Sequence, residues 1–158
     1  MPLQLHADYH LVEITAAFAA LSDNGAVLRP QAGVYWHQPT QCDLFFVTLT
    51  KSEKHYSPTT MYRDYPISPE LFHWESQSAT REASPTGQRY IRHAERVSRV
   101  LLFVRRTRTD ERGQTMPYTL LGPVAYAGHQ GERPMAITWR LRHPMPAEMF
   151  ADTKVAAG

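Results

Sequence analysis

Two apolar stretches, DLFFVTLT at residues 43–50 and VSRVLLFV at residues 97–104, carry the strongest strand signals in the chain. Both are rich in β-branched and aromatic residues, and residues 44–47 are continuously apolar. A strand that lacks polar alternation is typical of a sheet covered on both faces. We therefore expect these two segments to form the buried strands at the centre of the fold.

The segment before the first of these strands predicts a helix. Apolar residues recur at spacings of three and four between Leu11 and Leu21, which places them on one helical face. Asp8 is the expected N-cap of this helix, and the pair Asn24-Gly25 is its expected left-handed end.

Shorter strand patterns surround the two apolar stretches, at residues 33–37, 71–78, 117–121, 124–126 and 135–141. Turn and loop signals separate them, namely three prolines within residues 58–69, SPTG at 84–87, DERGQ at 110–114 and GHQGERP at 128–134. Together, these segments predict an α+β, mainly β domain of about seven short strands with an N-terminal helix. This content is typical of a barrel or a sandwich. One domain is expected over residues 1–158, with its core at about 3–146 and a tail at 147–158 that forms a short helix or frays.

Length and composition exclude several classes of protein. The chain has 158 residues, of which 42% are hydrophobic, so it can bury a core of its own and is not a disordered tail. Its single cysteine, Cys42, excludes an internal disulfide and a paired-cysteine zinc site. No apolar run reaches the roughly 18 residues that cross a membrane, and the N-terminus lacks a secretory signal pattern. We expect a cytoplasmic protein that does not contact membranes.

The net charge of +2 conceals an uneven distribution. Three of the 17 basic residues are lysines and the other 14 are arginines, and the segment 89–112 holds eight arginines against three acids, a local charge of +5. Arginine presents a planar fork of donors that suits phosphates. This pattern fits a phosphate-binding surface and a solvated arginine-rich face equally well.

Signals for catalysis and for metal binding are weak. The eight histidines form no HxH or HExxH pair, and the chain contains no GxSxG, GxGxxG or phosphate-cradling GKS run. We expect no catalytic residue, no metal and no cofactor. The alternative is a small metal-dependent hydrolase or nuclease that uses His73, His129 and Glu132, and a third hypothesis is a protein-interaction module.

The region of residues 51–90 is the most informative for function. It interleaves aromatic residues with hydroxyls, amides and acids, beside several basic residues. Strand alternation along FHWESQ places Phe72, Trp74 and Ser76 on one face and the polar residues His73, Glu75 and Gln77 on the other. Such a mixture is suited to nucleic acid, because rings stack on bases, carboxylates accept from amino groups and basic residues hold phosphates. Carbohydrate and peptide sites have similar compositions.

The motifs SPTTMYRDY, FHWESQS, SPTGQRYIRH and GPVAYAGHQGERPMAITWRLRHP resemble an uncharacterised domain family over about residues 3–146. Members of that family sit at the C-terminus of bacterial DEAD/DEAH-type helicases that also carry a phospholipase-D-like nuclease. In ATP-dependent type IV restriction enzymes of this architecture, the domain is similar to the SET-and-RING-associated (SRA), PUA-like fold. The resemblance implies a curved β-barrel that binds modified DNA and flips out 5-methylcytosine.

The chain departs from that architecture because it carries neither motor nor nuclease, so we expect either a free-standing domain or a piece of a larger enzyme. The hypothesis is a non-catalytic reader of a modified cytosine in double-stranded DNA, related to restriction or defence and working with a separate helicase or nuclease effector. On the matching motif we assign the base pocket to Tyr62, Asp64, Tyr65, His73, Trp74, Glu75, Ser76 and Gln77. Phosphate contacts are assigned to Lys51, Lys54, Arg63, Arg81, Arg89, Arg105 and Arg106.

Overall fold

The computed structural model describes residues 3–30, 33–50 and 64–158. These residues form eight strands and three α-helices. In chain order the elements are β1 (Asp8–Tyr9), α1 (Leu11–Ala17), β2 (Val34–His37), β3 (Cys42–Thr48), β4 (Tyr65–Ser68), β5 (Leu71–Glu75), α2 (Pro85–Ile91), β6 (Arg99–Arg105), β7 (Tyr118–Gln130), β8 (Ala136–Leu141) and α3 (Ala147–Ala157).

All eight strands belong to one mixed sheet. Its order is β2-β3-β6-β7-β8-β5-β4, and β1 pairs with part of β7. β3 and β6 are parallel, and the other pairs are antiparallel. The expected α+β, mainly β class is confirmed. The expected curved β-barrel is not closed among the described residues, because the sheet is open and its order ends at β2 and β4.

The two apolar stretches form the adjacent central strands β3 and β6, as their composition predicts. All seven residues of β3 are buried, and β3 therefore contributes to hydrophobic clusters on both faces of the sheet. The larger cluster centres on Phe45, Trp74, Tyr90 and Trp139. The smaller cluster includes Ile14 of α1 and lies on the opposite face of β3.

The segment that the sequence divides into two strands and a loop is one bent strand of 13 residues, β7. Its register shifts opposite β6 near Gly122, whose φ is +97°. A Cβ at this position would lie 2.9 Å from Cδ1 of Leu5. Gly122 therefore allows both the left-handed bend and the close approach of the N-terminal segment.

The N-terminal helix is shorter than the periodicity predicts. α1 ends at Ala17, well before Asn24-Gly25, and its N-cap is His10, whose backbone N–H donates to Glu13 Oε1 at 2.8 Å. Asp8 is not the cap, because it lies in β1 and accepts a hydrogen bond from the Thr119 hydroxyl at 2.6 Å.

The motif SPTG, expected to be a turn, begins helix α2. The Ser84 hydroxyl accepts a hydrogen bond from Gly87 N at 3.0 Å, and Pro85 occupies the first turn, so this is an N-cap followed by a helix-starting proline. A Cβ on Gly87 would lie 2.0 Å from the Arg81 carbonyl oxygen. α2 thus packs too closely on the preceding segment to accept a side chain there.

The C-terminal tail forms the helix α3 rather than fraying. Met149 and Phe150 of this helix pack against the larger cluster, so the core extends past residue 146. In the described ranges, no helix is both long enough and apolar enough to span a membrane.

Candidate functional site

The strand β5 has the alternation that its sequence predicts. Phe72 and Ser76 are fully buried and Trp74 is 4% exposed, whereas His73 and Glu75 between them are partly exposed. The side chains of β5 and the residue that follows therefore divide between the protein interior and an accessible surface.

Trp74 lies in the hydrophobic core and not in an accessible pocket. Its ring stacks on Phe45, with centroids 4.2 Å apart and an interplanar angle of 13°. Tyr90 and Trp139 contact it edge-on at 5.4 and 6.3 Å. These rings cover the indole, so in this conformation it does not present a face to a base, contrary to its assignment as a stacking residue.

The accessible face of β4 and β5 carries a stacked aromatic pair. Tyr65 and His73 are cross-strand partners whose rings lie 4.5 Å apart at 16°. His73 Nε2 lies 3.9 Å from Glu75 Oε1. Three of the assigned residues are thus brought together on one surface. Tyr62, the other stacking candidate, lies outside the described residues.

Asp64 lies beside the end of β5. It is 9% exposed, and its Oδ1 accepts a hydrogen bond from Glu75 N at 3.0 Å. Ser76 is engaged internally, because its hydroxyl accepts from Met135 N at 2.8 Å and donates to the Gln77 carbonyl oxygen at 3.1 Å. The Ser76 hydroxyl therefore shapes this end of the strand and is not available for an edge contact.

Gln77 is oriented by two hydroxyl groups. Its Oε1 accepts hydrogen bonds from the Tyr90 hydroxyl at 3.1 Å and from the Thr80 hydroxyl at 3.2 Å. Because both partners engage the amide oxygen, the two N–H donors of the amide point away from them. The result is a half-buried amide whose donors have a fixed direction. Gln77 lies two positions after Glu75, the residue whose backbone N–H donates to Asp64.

An ion pair between Arg89 and the buried Asp43 lies next to Tyr90. Arg89 donates to the fully buried Asp43 through Nε at 2.8 Å and through a terminal nitrogen at 2.9 Å, and its guanidinium lies 4.6 Å from the centre of the Trp36 ring. Burial raises the pKa of Asp43 above its usual range, and Arg89 partly offsets this effect. Burial also raises the pKa of Tyr90, which keeps its hydroxyl protonated as a donor to Gln77.

His93, at the end of α2, fixes the helix to the sheet. Its Nε2 accepts a hydrogen bond from Tyr126 N at 3.0 Å, which requires an unprotonated nitrogen. Burial lowers the pKa of His93, in agreement with this role.

The assigned phosphate-binding residues divide into four groups. Arg89 is bound to Asp43 inside the protein, so its assignment to a phosphate does not fit its geometry. Arg105 is partly buried against the Tyr118 ring at 4.4 Å and donates through Nε to Thr48 at 2.8 Å. The exposed members are Arg81 and Arg106. The remaining ones, Lys51, Lys54 and Arg63, lie outside the described residues.

The loop GHQGERP holds its polar residues in contacts with the segment before α2. The Tyr126 hydroxyl lies 2.5 Å from His129 Nδ1, and His129 Nε2 lies 3.5 Å from Glu82 Oε2. Glu132 accepts a hydrogen bond from Glu82 N at 3.2 Å. His73 does not join this group in any of these contacts. Among the residues that the structure describes, no three His, Cys, Asp or Glu side chains are grouped in a way that could hold a metal ion.

The chain belongs to the family described as "Domain of unknown function (DUF3427)", whose profile matches residues 3–153. No curated protein matches the chain.

Sequence reasoning missed the internal supports of this site. Asp43, Thr80 and Tyr90 all contribute, but Asp43 is separated from Arg89 by 46 positions, and no local pattern links them. The only available signal was the Ser84-Pro85 pair, which is typical of a helix start and would have placed residues 89 and 90 on one helix.

Proposed function

We propose that this domain is a non-catalytic DNA-binding module that recognises a modified cytosine, with 5-methylcytosine as the first candidate, by flipping the base into a pocket beside the end of β5. The finer assignment to an SRA-like, PUA-like fold belongs to the same proposal. The proposal also includes a cytoplasmic location, a role in restriction or defence, and cooperation with a helicase or nuclease effector.

Two observations near the end of β5 carry the proposal: the Asp64 carboxylate is bound to Glu75 N, and the side-chain amide of Gln77, two positions after Glu75, is oriented by Tyr90 and Thr80. A flipped cytosine offers an amino donor and two acceptors, the ring nitrogen and the carbonyl oxygen, on its Watson–Crick edge. Asp64 supplies an acceptor for the amino group, and Gln77, whose oxygen is occupied by Tyr90 and Thr80, supplies donors for the acceptors. This complementarity favours cytosine over a thymine, whose edge presents the opposite pattern at the same position.

In this proposal the stacking surface comes from tyrosines that neighbour Asp64 in sequence. Tyr65, already stacked on His73, and Tyr62, two residues before Asp64 in sequence, are the candidates. Stacking holds the flipped base without reading its identity, so the methyl group is distinguished only by an apolar contact. One methyl group in a pocket contributes about 1–3 kcal/mol.

The first prediction concerns modified and unmodified duplexes. We expect the domain to bind a duplex with one 5-methylcytosine about 10-fold more tightly than the matched unmodified duplex, measured by fluorescence anisotropy at near-physiological salt. Because arginines and lysines displace counterions from phosphates, both affinities should fall steeply with salt. Equal affinity for both duplexes would exclude a modification reader, and cleavage of the labelled DNA with added Mg²⁺ would favour the hydrolase alternative.

The second prediction concerns Asp64→Asn. The new side chain keeps an oxygen for Glu75 N but presents an amide donor toward the base amino group, so we expect 10- to 100-fold weaker binding of the modified duplex, or about 1.4–2.8 kcal/mol. Thermal unfolding should change little. Glu70→Gln, a neutralised exposed carboxylate in the turn before β5, is the control and should bind as the original chain does. A retained preference in folded Asp64→Asn would place the pocket elsewhere.

A further inference from the structure

We propose that the loop between α2 and β6, residues 92–98, is a second DNA-contacting element, and that Val97 at its tip is an apolar wedge that enters the minor groove of the duplex. This inference rests on the proposed function, since it assigns a separate element of the same DNA-binding surface. Val97 is 85% exposed and adopts φ = +55°.

Both properties of Val97 are unfavourable for the free protein. A β-branched residue is strained in the left-handed backbone region. Glycine or asparagine is therefore the usual residue at such a position. Because the valine side chain is exposed, it also contributes no hydrophobic stabilisation to the fold. Strained residues of this kind tend to lie in functional sites, where a binding partner supplies the compensation. An apolar side chain displayed on a strained turn is suited to insertion between the steps of a duplex.

The loop that displays Val97 is tied down at both of its ends. Ser98 N donates to the His93 carbonyl oxygen at 2.9 Å, and Val97 N donates to the Ala94 carbonyl oxygen at 3.3 Å. His93 itself accepts from Tyr126 N of β7 at 3.0 Å. These hydrogen bonds constrain the backbone at the tip of the loop, which lowers the entropy cost of ordering Val97 when it binds.

The charges around Val97 fit the phosphates on either side of a minor groove. Arg92 and Arg96 of the loop and Arg99, the first residue of β6, are all exposed. The single acid among residues 92–99 is Glu95, so the loop has a net charge of +1 and Arg99 raises the charge of this stretch to +2. Arginine is the residue that most readily combines phosphate contact with entry into a narrow groove. An apolar tip flanked by arginines complements the sugars and phosphates of duplex DNA.

The same helix joins this loop to the proposed base pocket. Tyr90 on α2 donates to Gln77, and the loop begins directly after that helix. A contact of residues 92–98 with the duplex would therefore act on the element that orients Gln77. This arrangement would allow one rigid unit to distort the duplex and to receive the extruded base.

The test uses Val97→Gly and Val97→Asn, because both residues accept the left-handed conformation and neither supplies an apolar wedge. We expect a melting temperature equal to or above that of the original chain, together with 5- to 10-fold weaker binding of the modified duplex. Binding of a single-stranded oligonucleotide with the same modified base should change less than twofold, since no stack has to be opened. Arg96→Gln should lower the slope of log affinity against log salt by about 0.9.

Val155→Asn is the matched control, because this valine is 81% exposed on α3, and it should bind both DNAs as the original chain does. If the original chain prefers the modified duplex and both Val97 variants bind it equally well, the wedge is overturned and the proposed function stands. If the original chain shows no preference and no duplex binding, the proposed function and the wedge fail together. An equal loss for duplex and single strand would also overturn the wedge.

Discussion

Arg89→Leu is expected to destabilise the domain by about 3–5 kcal/mol at pH 8, because it leaves the fully buried Asp43 carboxylate without its cation. Removing one partner of a buried ion pair lowers the free energy of unfolding more than removing both partners does. Adding Asp43→Asn to the Arg89→Leu variant should therefore restore part of the lost stability. Urea unfolding followed by tryptophan fluorescence measures both variants, and Arg92→Leu, an exposed arginine just after α2, is the control.

The pH dependence of Arg89→Leu tests the same cause. Burial raises the pKa of Asp43 in the folded protein, and loss of Arg89 raises it further. A folded-state pKa above the unfolded value gives stabilisation that is complete below the unfolded pKa and is lost as the pH rises through the folded pKa. The deficit of Arg89→Leu should therefore be larger at pH 8 than at pH 5, and Asp43→Asn should abolish the difference. A deficit independent of pH would show that lost packing on Trp36 dominates.

Trp74→Ala is expected to destabilise the domain by about 3–5 kcal/mol, since it empties the space between Phe45, Tyr90 and Trp139. The informative variant is Trp74→Phe, which retains an aromatic ring and should lower the stability less than Trp74→Ala does. Because the indole is covered by other rings, Trp74→Phe should keep the preference for a modified duplex.

Trp139→Phe, a fully buried tryptophan of the same cluster, is the control for this variant. Both variants should show lower stability by urea unfolding and unchanged DNA preference by anisotropy. Loss of the preference in a folded Trp74→Phe, with its retention in Trp139→Phe, would mean that Trp74 contacts the base and that the core opens on binding.

Those elements with strong local signals were predictable from sequence. β3 and β6 are continuous apolar runs, and the alternation of β5 requires only one buried face, so their positions follow from periodicity. The prediction of two separate strands within residues 117–126 is wrong, because Gly122 and Pro123 are typical strand breakers and yet lie inside β7. Pairing with the neighbouring strands β6 and β8 continues on both sides of the bend, so β7 remains one strand.

The site depended on information that no short window contains. The spacing of Phe72 to Gln77 indicates which side chains share a face, but not that Phe45 covers Trp74 or that Tyr90 and Thr80 occupy the Gln77 oxygen. Arg89 was assigned to phosphate because arginine favours it, whereas its partner Asp43 lies 46 positions away on a different element. Such long-range pairs depend on tertiary packing and not on local propensity.

The parallel pairing of β3 with β6 has a consequence for how the chain acquires its fold during synthesis. Thr48 and Arg105, which meet across this pair, are 57 positions apart in the chain. An emerging polypeptide therefore displays the apolar strand β3 with only the short β2 hairpin beside it until β6 leaves the ribosome. Topologies dominated by such distant contacts fold slowly and expose aggregation-prone strands meanwhile. Truncations that end between residues 49 and 98 should accumulate as insoluble material rather than as a smaller folded unit.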